Sequence, residues 1–116
     1  MNSAKDLPVY KKAYALSKEI CSMCEKWPAG DRFSLSNQIR MSCKEVCRNL
    51  EQAWNGRMSE KYVKDRLTDA AGENSETKIW LDFALASDYI GAEEHGRLAG
   101  ECRRIDTMLY GMIREP

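Results

Sequence analysis

SEKYVKDRLTDAAGENSETKIWLDFALASDYI, residues 59–90, decides the fold. Within it Val63, Leu67, Ala70, Asn74, Thr77, Leu81, Ala84 and Asp88 recur at alternating steps of four and three. A strand would place apolar residues at every second position; this spacing is a heptad seam along one face of a long helix. Ser59 ahead of Glu60 suits the helix start, because a serine oxygen accepts an unpaired backbone N–H and an acid favours the first turn. Gly91 suits the position just past the end. About 30 residues at ~1.5 Å each would span ~45 Å. Such a helix must overhang its neighbours or bend, with Gly72 as the expected bend and as a point where two helices approach closely. Asn74 and Thr77 make the middle of the seam polar.

Working outward, three further segments carry the same periodicity. Val9, Ala13, Leu16, Ile20, Met23 and Trp27 form a stripe that starts at Pro8, a good first helical residue, and stops at Pro28. Tyr10, Tyr14, Cys21 and Cys24 form a second stripe beside it. Leu35, Ile39, Ser42, Val46, Leu50 and Ala53 follow a candidate cap at Asp31 and precede the breaker Asn55-Gly56. Leu98, Cys102, Ile105, Leu109 and Met112 form the last stripe, which runs out at Pro116. The expected helices cover about residues 8–27, 32–54, 59–90 and 93–114. Short connections make consecutive helices antiparallel neighbours. The expectation is all-α: a single domain over residues 1–116, an up-down-up-down antiparallel four-helix bundle.

Composition bounds the function. At 116 residues and 43% hydrophobic content the chain has the length and apolar fraction of one globular domain. No apolar run approaches the ~18–20 residues of a membrane span. The N-terminal MNSAKDLPVYKK has no apolar signal core, so a cytoplasmic location is expected. Lys plus Arg is 18 and Asp plus Glu is 18. A net charge of zero gives no global attraction to nucleic acid or anionic lipid. The halves differ: residues 1–56 carry nine basic and six acidic side chains, and residues 57–116 carry nine and twelve.

Two charged rows stand out. Arg40, Lys44 and Arg48 repeat every four residues, as do Asp65, Asp69 and Glu73. Folding the chain back at Gly56–Arg57 sets Arg48 opposite Asp65, Lys44 opposite Asp69 and Arg40 opposite Glu73. The rows then read as a charge ladder inside a hairpin, each exposed rung contributing ~0.2–1 kcal/mol. The alternatives are a phosphate-binding stripe formed by Arg40, Lys44 and Arg48 with Lys11 and Lys12, and pairing between subunits.

Five cysteines, Cys21, Cys24, Cys43, Cys47 and Cys102, form an odd set with no signal peptide and read as reduced thiols. Cys21-x-x-Cys24 with Cys43 and Cys47 suggests a metal site, but a CxxC inside a continuous helix lacks the turn that aims both sulfurs at one ion, and apolar packing is the expected role. No metal or other cofactor is expected. His95 has no second histidine and reads as solvent-exposed. No Walker A, GxSxG, HExxH or GxGxxG pattern occurs, so no catalytic residue is expected and the protein reads as non-enzymatic. The two stripes of the first helix make a face wider than one neighbour needs, which points to self-association. Tyr10, Tyr14, Cys21, Trp27 and Trp54 are the candidate interface residues, local packing at helix ends being the alternative.

Asp6-Leu7 with Tyr10-Lys11-Lys12-Ala13, Trp27-Pro28, Gln38-Ile39-Arg40, Asn49-Leu50, Leu67-x-x-Ala70-x-Gly72-x-x-x-Glu76, Tyr89-Ile90 and Met108-Leu109-x-x-Met112-Ile113 follow in order along nearly the whole chain. In that order and spacing the sequence resembles the 23S rRNA-intervening-sequence protein family of four-helix bundles. It departs from the family's usual Pro-x-Asn-Ile-Ala-Glu-Gly stretch, of which only Asn49 and an apolar Leu50 remain in residues 47–53. The resemblance implies a bacterial bundle without enzymatic activity that assembles as a homopentamer. It extends to the accessory proteins of diversity-generating retroelements, implying RNA or DNA and a reverse transcriptase as partners. The competing expectations are a self-assembling protein-interaction module with no nucleic-acid role and a cysteine-ligated metal protein.

Overall fold

Pro8 opens helix α1 (Pro8–Cys24), its missing N–H costing nothing in a first turn that has no acceptor for it. The computed structural model describes residues 3–115, and the side chains of residues 31–33 are outside that description. A short 3₁₀ turn, Ala4–Asp6, precedes α1 and is closed by reciprocal bonds between Ser3 and the turn. After α1 come a single turn α2 (Ala29–Asp31), a π-type turn (Arg32–Ser36), and the long helices α3 (Asn37–Asn55), α4 (Glu60–Ala86) and α5 (Ala92–Arg114). The four long helices form an all-α bundle in the cyclic order α1, α3, α4, α5, each beside antiparallel neighbours. Its long axis is 45 Å and its cross-section 22 × 21 Å, which fits the ~40 Å length of a 27-residue helix.

The seam residues meet on the bundle axis. Leu67, Ala70, Asn74, Thr77, Leu81 and Ala84 of α4 are buried against Ile20 of α1, Ile39, Val46 and Leu50 of α3, and Leu98, Cys102, Ile105 and Leu109 of α5. Burial of a leucine or isoleucine contributes roughly 1.5–3 kcal/mol. The polar members of the seam are satisfied across helix interfaces. The Ser42 and Thr77 hydroxyls lie 2.8 Å apart between α3 and α4. The Asn74 amide donates to the Cys102 carbonyl at 2.8 Å and to the Asp106 carboxylate at 2.7 Å, joining α4 to α5. The Cys43 thiol donates to the Ser17 hydroxyl at 3.4 Å between α3 and α1.

Several boundaries differ from the sequence expectation. α1 ends at Cys24, not at Trp27: the next three amides bond three residues back, and the tightened turn swings Trp27 inward onto Tyr89, ring centroids 5.2 Å apart. Helical geometry resumes at Ala29, so the backbone at Asp31 is already helical; its expected capping side chain lies outside the described residues, as does Pro116. α4 stops at Ala86. Asp88 takes a left-handed backbone (φ 61°), and Tyr89 N–H bonds to the Ala84 carbonyl while Asp88 N–H bonds to Leu85. That is the helix-ending motif expected of a glycine, so Asp88 sits in an exposed cap and not on the seam. Gly91, with φ −85° and ψ 169°, caps the start of α5 instead.

Gly72 corrects a second expectation. It is exposed, and a Cβ built on it meets nothing within 4 Å; α4 runs on as helix through it. Gly56 is the glycine that a close approach requires, because a Cβ there would overlap the Tyr62 ring. Leu67→Ala is expected to destabilise the fold by ~2–5 kcal/mol because Leu67 is buried on the seam. Gly72→Ala is expected to stabilise it by about 0.5–1 kcal/mol, as for an unobstructed glycine inside a helix. Urea unfolding of both variants checks the pair, and a destabilised Gly72→Ala would mean that this position does carry a packing role.

Candidate interaction surfaces

The hairpin register sets which side chains share a surface. Ser42 opposite Thr77 puts the pivot midway between them, at residues 59–60 and not at Gly56–Arg57. The extra residues are taken up by a turn in which Ser59 N–H bonds to the Gly56 carbonyl and Ser59 Oγ accepts from Tyr62 N–H. The expected ladder is therefore absent among the described residues. Arg48 pairs with Glu45 on its own helix at 3.0 Å, Asp65 with Lys61 at 2.9 Å, and Asp69 with Arg66 at 2.7 Å. Glu45 comes near Glu73 instead. Partial burial, then the negative charges of Glu45, Glu76 and Asp69, hold the Glu73 carboxyl above its ordinary pKa.

The five basic residues singled out in the sequence do not form one surface. Lys12 reaches Glu101 of α5 at 3.7 Å. Arg40 is half-buried, close enough to lower the Cys24 thiol pKa against the stronger effect of burial. Lys44 lines the groove between α1 and α3, and Arg48 is tied to Glu45. Lys11 is exposed on α1.

The five candidate interface residues also separate. Tyr10 is buried and donates from its hydroxyl to Glu51 at 3.0 Å. Trp27 is buried against Tyr89. Trp54 is half-buried with the Arg57 guanidinium 4.5 Å above its ring. Tyr14 is 51% exposed, stacked on Tyr10 with Lys18 near its ring, and Cys21 is half-buried nearby in the α1–α3 groove. The wide face of α1 is thus largely consumed inside the bundle, because α1 touches both α3 and α5.

Exposed apolar side chains also stand on α3 and α4. Met41 is 63% exposed, Phe83 54% and Ile79 47%. The Trp80 and Phe83 rings lie 5.7 Å apart and line a groove of about 410 Å³ with Leu35 and Tyr89. Trp80 lies off the seam of α4. The i, i+4 pair Ile79 and Phe83 around it was the available signal, a second apolar stripe beside the main one.

The cysteines are reduced thiols within hydrogen-bonded or apolar packing. No three His, Cys, Asp or Glu side chains among the described residues stand together as a metal site. Burial pushes the Cys24 and Cys43 thiols up to about 11 and those of Cys47 and Cys102 up to about 12. His95 is half-buried, not solvent-exposed, and its Nε2 sits 2.7 Å from Asp82 Oδ1 across the α4–α5 turn.

The raised thiols have a stability consequence. Unfolded thiols ionise near their ordinary pKa of 9 while the folded ones stay protonated. Their contribution is fully present below pH 9 and is lost as pH climbs through 11 to 12. The urea midpoint is expected to fall between pH 8.5 and pH 10.5, and to fall less in a Cys47→Ala, Cys102→Ala variant. An equal fall in that variant would place the alkaline sensitivity on other groups.

Among the described residues no helix is long and apolar enough to cross a membrane. A crystal structure of a protein of unknown function from the S23 ribosomal protein family, from Bacteroides thetaiotaomicron, has the same fold: TM-score 0.84 at 22% identity, over 91% of this chain and 95% of that one. No curated protein sequence matches. The family model of the 23S rRNA-intervening sequence protein matches residues 5–111. This is nearly the whole chain, and the chain belongs to that family.

Proposed function

We propose that the chain is a non-enzymatic helical scaffold of the cytoplasm that assembles with copies of itself and takes nucleic acid as its partner. The observation that carries the assembly is the apolar groove of Leu35, Trp80, Phe83 and Tyr89, with Met41 exposed on α3. Exposed apolar groups on neighbouring turns usually mark an interface. Beside them lie Glu45, Asp69, Glu73 and Glu76, which line one groove. The opposite partner surface is the groove of about 500 Å³ between α1 and α3, where Tyr14 stands between Lys18 and Lys44. With Arg48 and Arg66 paired to Glu45 and Asp69, Glu73 and Glu76 leave an acid excess on one side, and Lys18 and Lys44 outnumber Glu25 beside the tyrosines on the other, so the two faces are unlike. Contact between unlike faces propagates head to tail and closes into a ring when the rotation allows.

Family resemblance supports five as the ring number, and supports RNA or DNA, with a reverse transcriptase, as partners. A neutral net charge favours a second reading, a self-assembling protein-interaction module without nucleic acid. Light scattering at micromolar concentration is expected to return a multiple of 13.3 kDa, with Met41→Glu, Phe83→Glu reverting to the single-chain mass while keeping its helical circular dichroism. A parent protein at 13.3 kDa overturns the assembly. A variant that stays oligomeric moves the interface off this face.

A further inference from the structure

The charges on α4 are unevenly divided between its faces, and zero net charge hides it. Asp69, Glu73 and Glu76, with Arg66 beside them, line the groove on the α3 side. Lys64 and Lys78 lie on the α5 side at i and i+14, with exposed Ser75 between them. On α5, Arg103, Thr107, Tyr110 and Arg114 follow at i, i+4, i+7 and i+11, all exposed. Asn74 bonded to Cys102 and Asp106, and Lys78 at 3.9 Å from Asp106, set the two rows side by side in antiparallel register.

Among the described residues Lys64, Arg103 and Arg114 make no ion pair. The acids of this face are occupied: Asp106 by Asn74 and Lys78, Asp82 by His95, while Glu60 stands at its end, in the first turn of α4. The small residues Ala71 of α4 and Ala99 of α5 are buried. The Tyr110 ring is 47% exposed beside the arginines. From Lys64 to Lys78 the strip runs ~20 Å along the helix axis, the length over which one strand of a duplex presents about six phosphates.

We infer that the outer face of α4 and α5 binds the phosphodiester backbone of nucleic acid, with Lys64, Lys78, Arg103 and Arg114 contacting phosphates and the Tyr110 ring offered to a sugar or base. The inference rests on the nucleic-acid part of the proposed function and gives it a place other than the α1 and α3 lysines. Guanidinium groups suit phosphate through their paired donors, and an aromatic ring among cations suits an unpaired base.

The test is fluorescence anisotropy of the assembled protein with a labelled 20-nucleotide RNA, the DNA of the same sequence, and the DNA duplex, from 50 to 200 mM salt. Four phosphate contacts predict log affinity falling with log salt at a slope of about −2.8 on single strands, and the loss of two contacts softens it by about 1.4. Arg103→Gln, Arg114→Gln is expected to weaken binding and soften the slope by that amount, and Arg103→Lys, Arg114→Lys to restore it. Lys11→Gln, Lys12→Gln is expected to behave as the parent. Light scattering on each variant reports assembly separately. Parent-like binding by the Arg→Gln variant, or a loss confined to the Lys11, Lys12 variant, overturns the location and leaves the proposed function standing. No binding by the parent at 50 mM salt to any of the three probes overturns both this inference and the nucleic-acid part of the proposed function, and leaves self-assembly untouched.

Discussion

Asn74 is the residue on which the rest of the bundle is registered. Its side chain is sealed from water, and its amide has found two acceptors on α5, the Cys102 carbonyl and the Asp106 carboxylate. Leaving such a group unpaired costs roughly 1–3 kcal/mol. A one-turn slip of α4 against α5 would orphan it at once. Leucine and isoleucine contacts alone tolerate slips, because one apolar residue replaces another at similar cost. The Ser42–Thr77 pair imposes the same condition between α3 and α4, and Cys43 on Ser17 between α3 and α1. Three of the four helix interfaces therefore carry a polar contact near mid-bundle.

That register decides the surface. With the hairpin pivot at residues 59–60, Asp69 lines a groove beside α3 but finds its cation, Arg66, on its own helix, and Lys64 and Lys78 of α4 fall beside the arginines of α5. Ion pairs between exposed groups are too weak to choose the register themselves. They accept the partner that buried packing and buried hydrogen bonds leave within reach. Arg48 turns to Glu45, and Asp69 to Arg66, for that reason.

Two features of the surface then remain after the core is satisfied: an apolar face on α3 and α4, and a basic face on α4 and α5. The first is hydrophobic area that the single chain has no element to cover. The second is a basic row in which, among the described residues, Lys64, Arg103 and Arg114 make no ion pair. Both sit on the long helix α4, which contributes one edge to each, so self-association and polyanion contact can occupy different sides of one scaffold.

The helices, their order and their inward faces were legible in the sequence, because burial writes a period of 3.6 residues into apolar positions whatever the neighbours are. Leu67, Leu81, Leu98 and Leu109 were identifiable as core on that ground alone, and Asn74 and Thr77 as its polar middle. Tertiary structure decided what depends on contacts between segments. A three-residue difference in the hairpin pivot was invisible to charge spacing, since the turn closes through the Gly56 carbonyl and the Ser59 hydroxyl, which carry no charge. Trp27, Tyr10 and Cys24 read as spare apolar surface, yet two neighbours and a tightened turn cover them. Asp88 took the left-handed cap that Gly91 was expected to supply, because residue type biases a backbone conformation and the geometry of the chain crossing from α4 to α5 selects where it is needed.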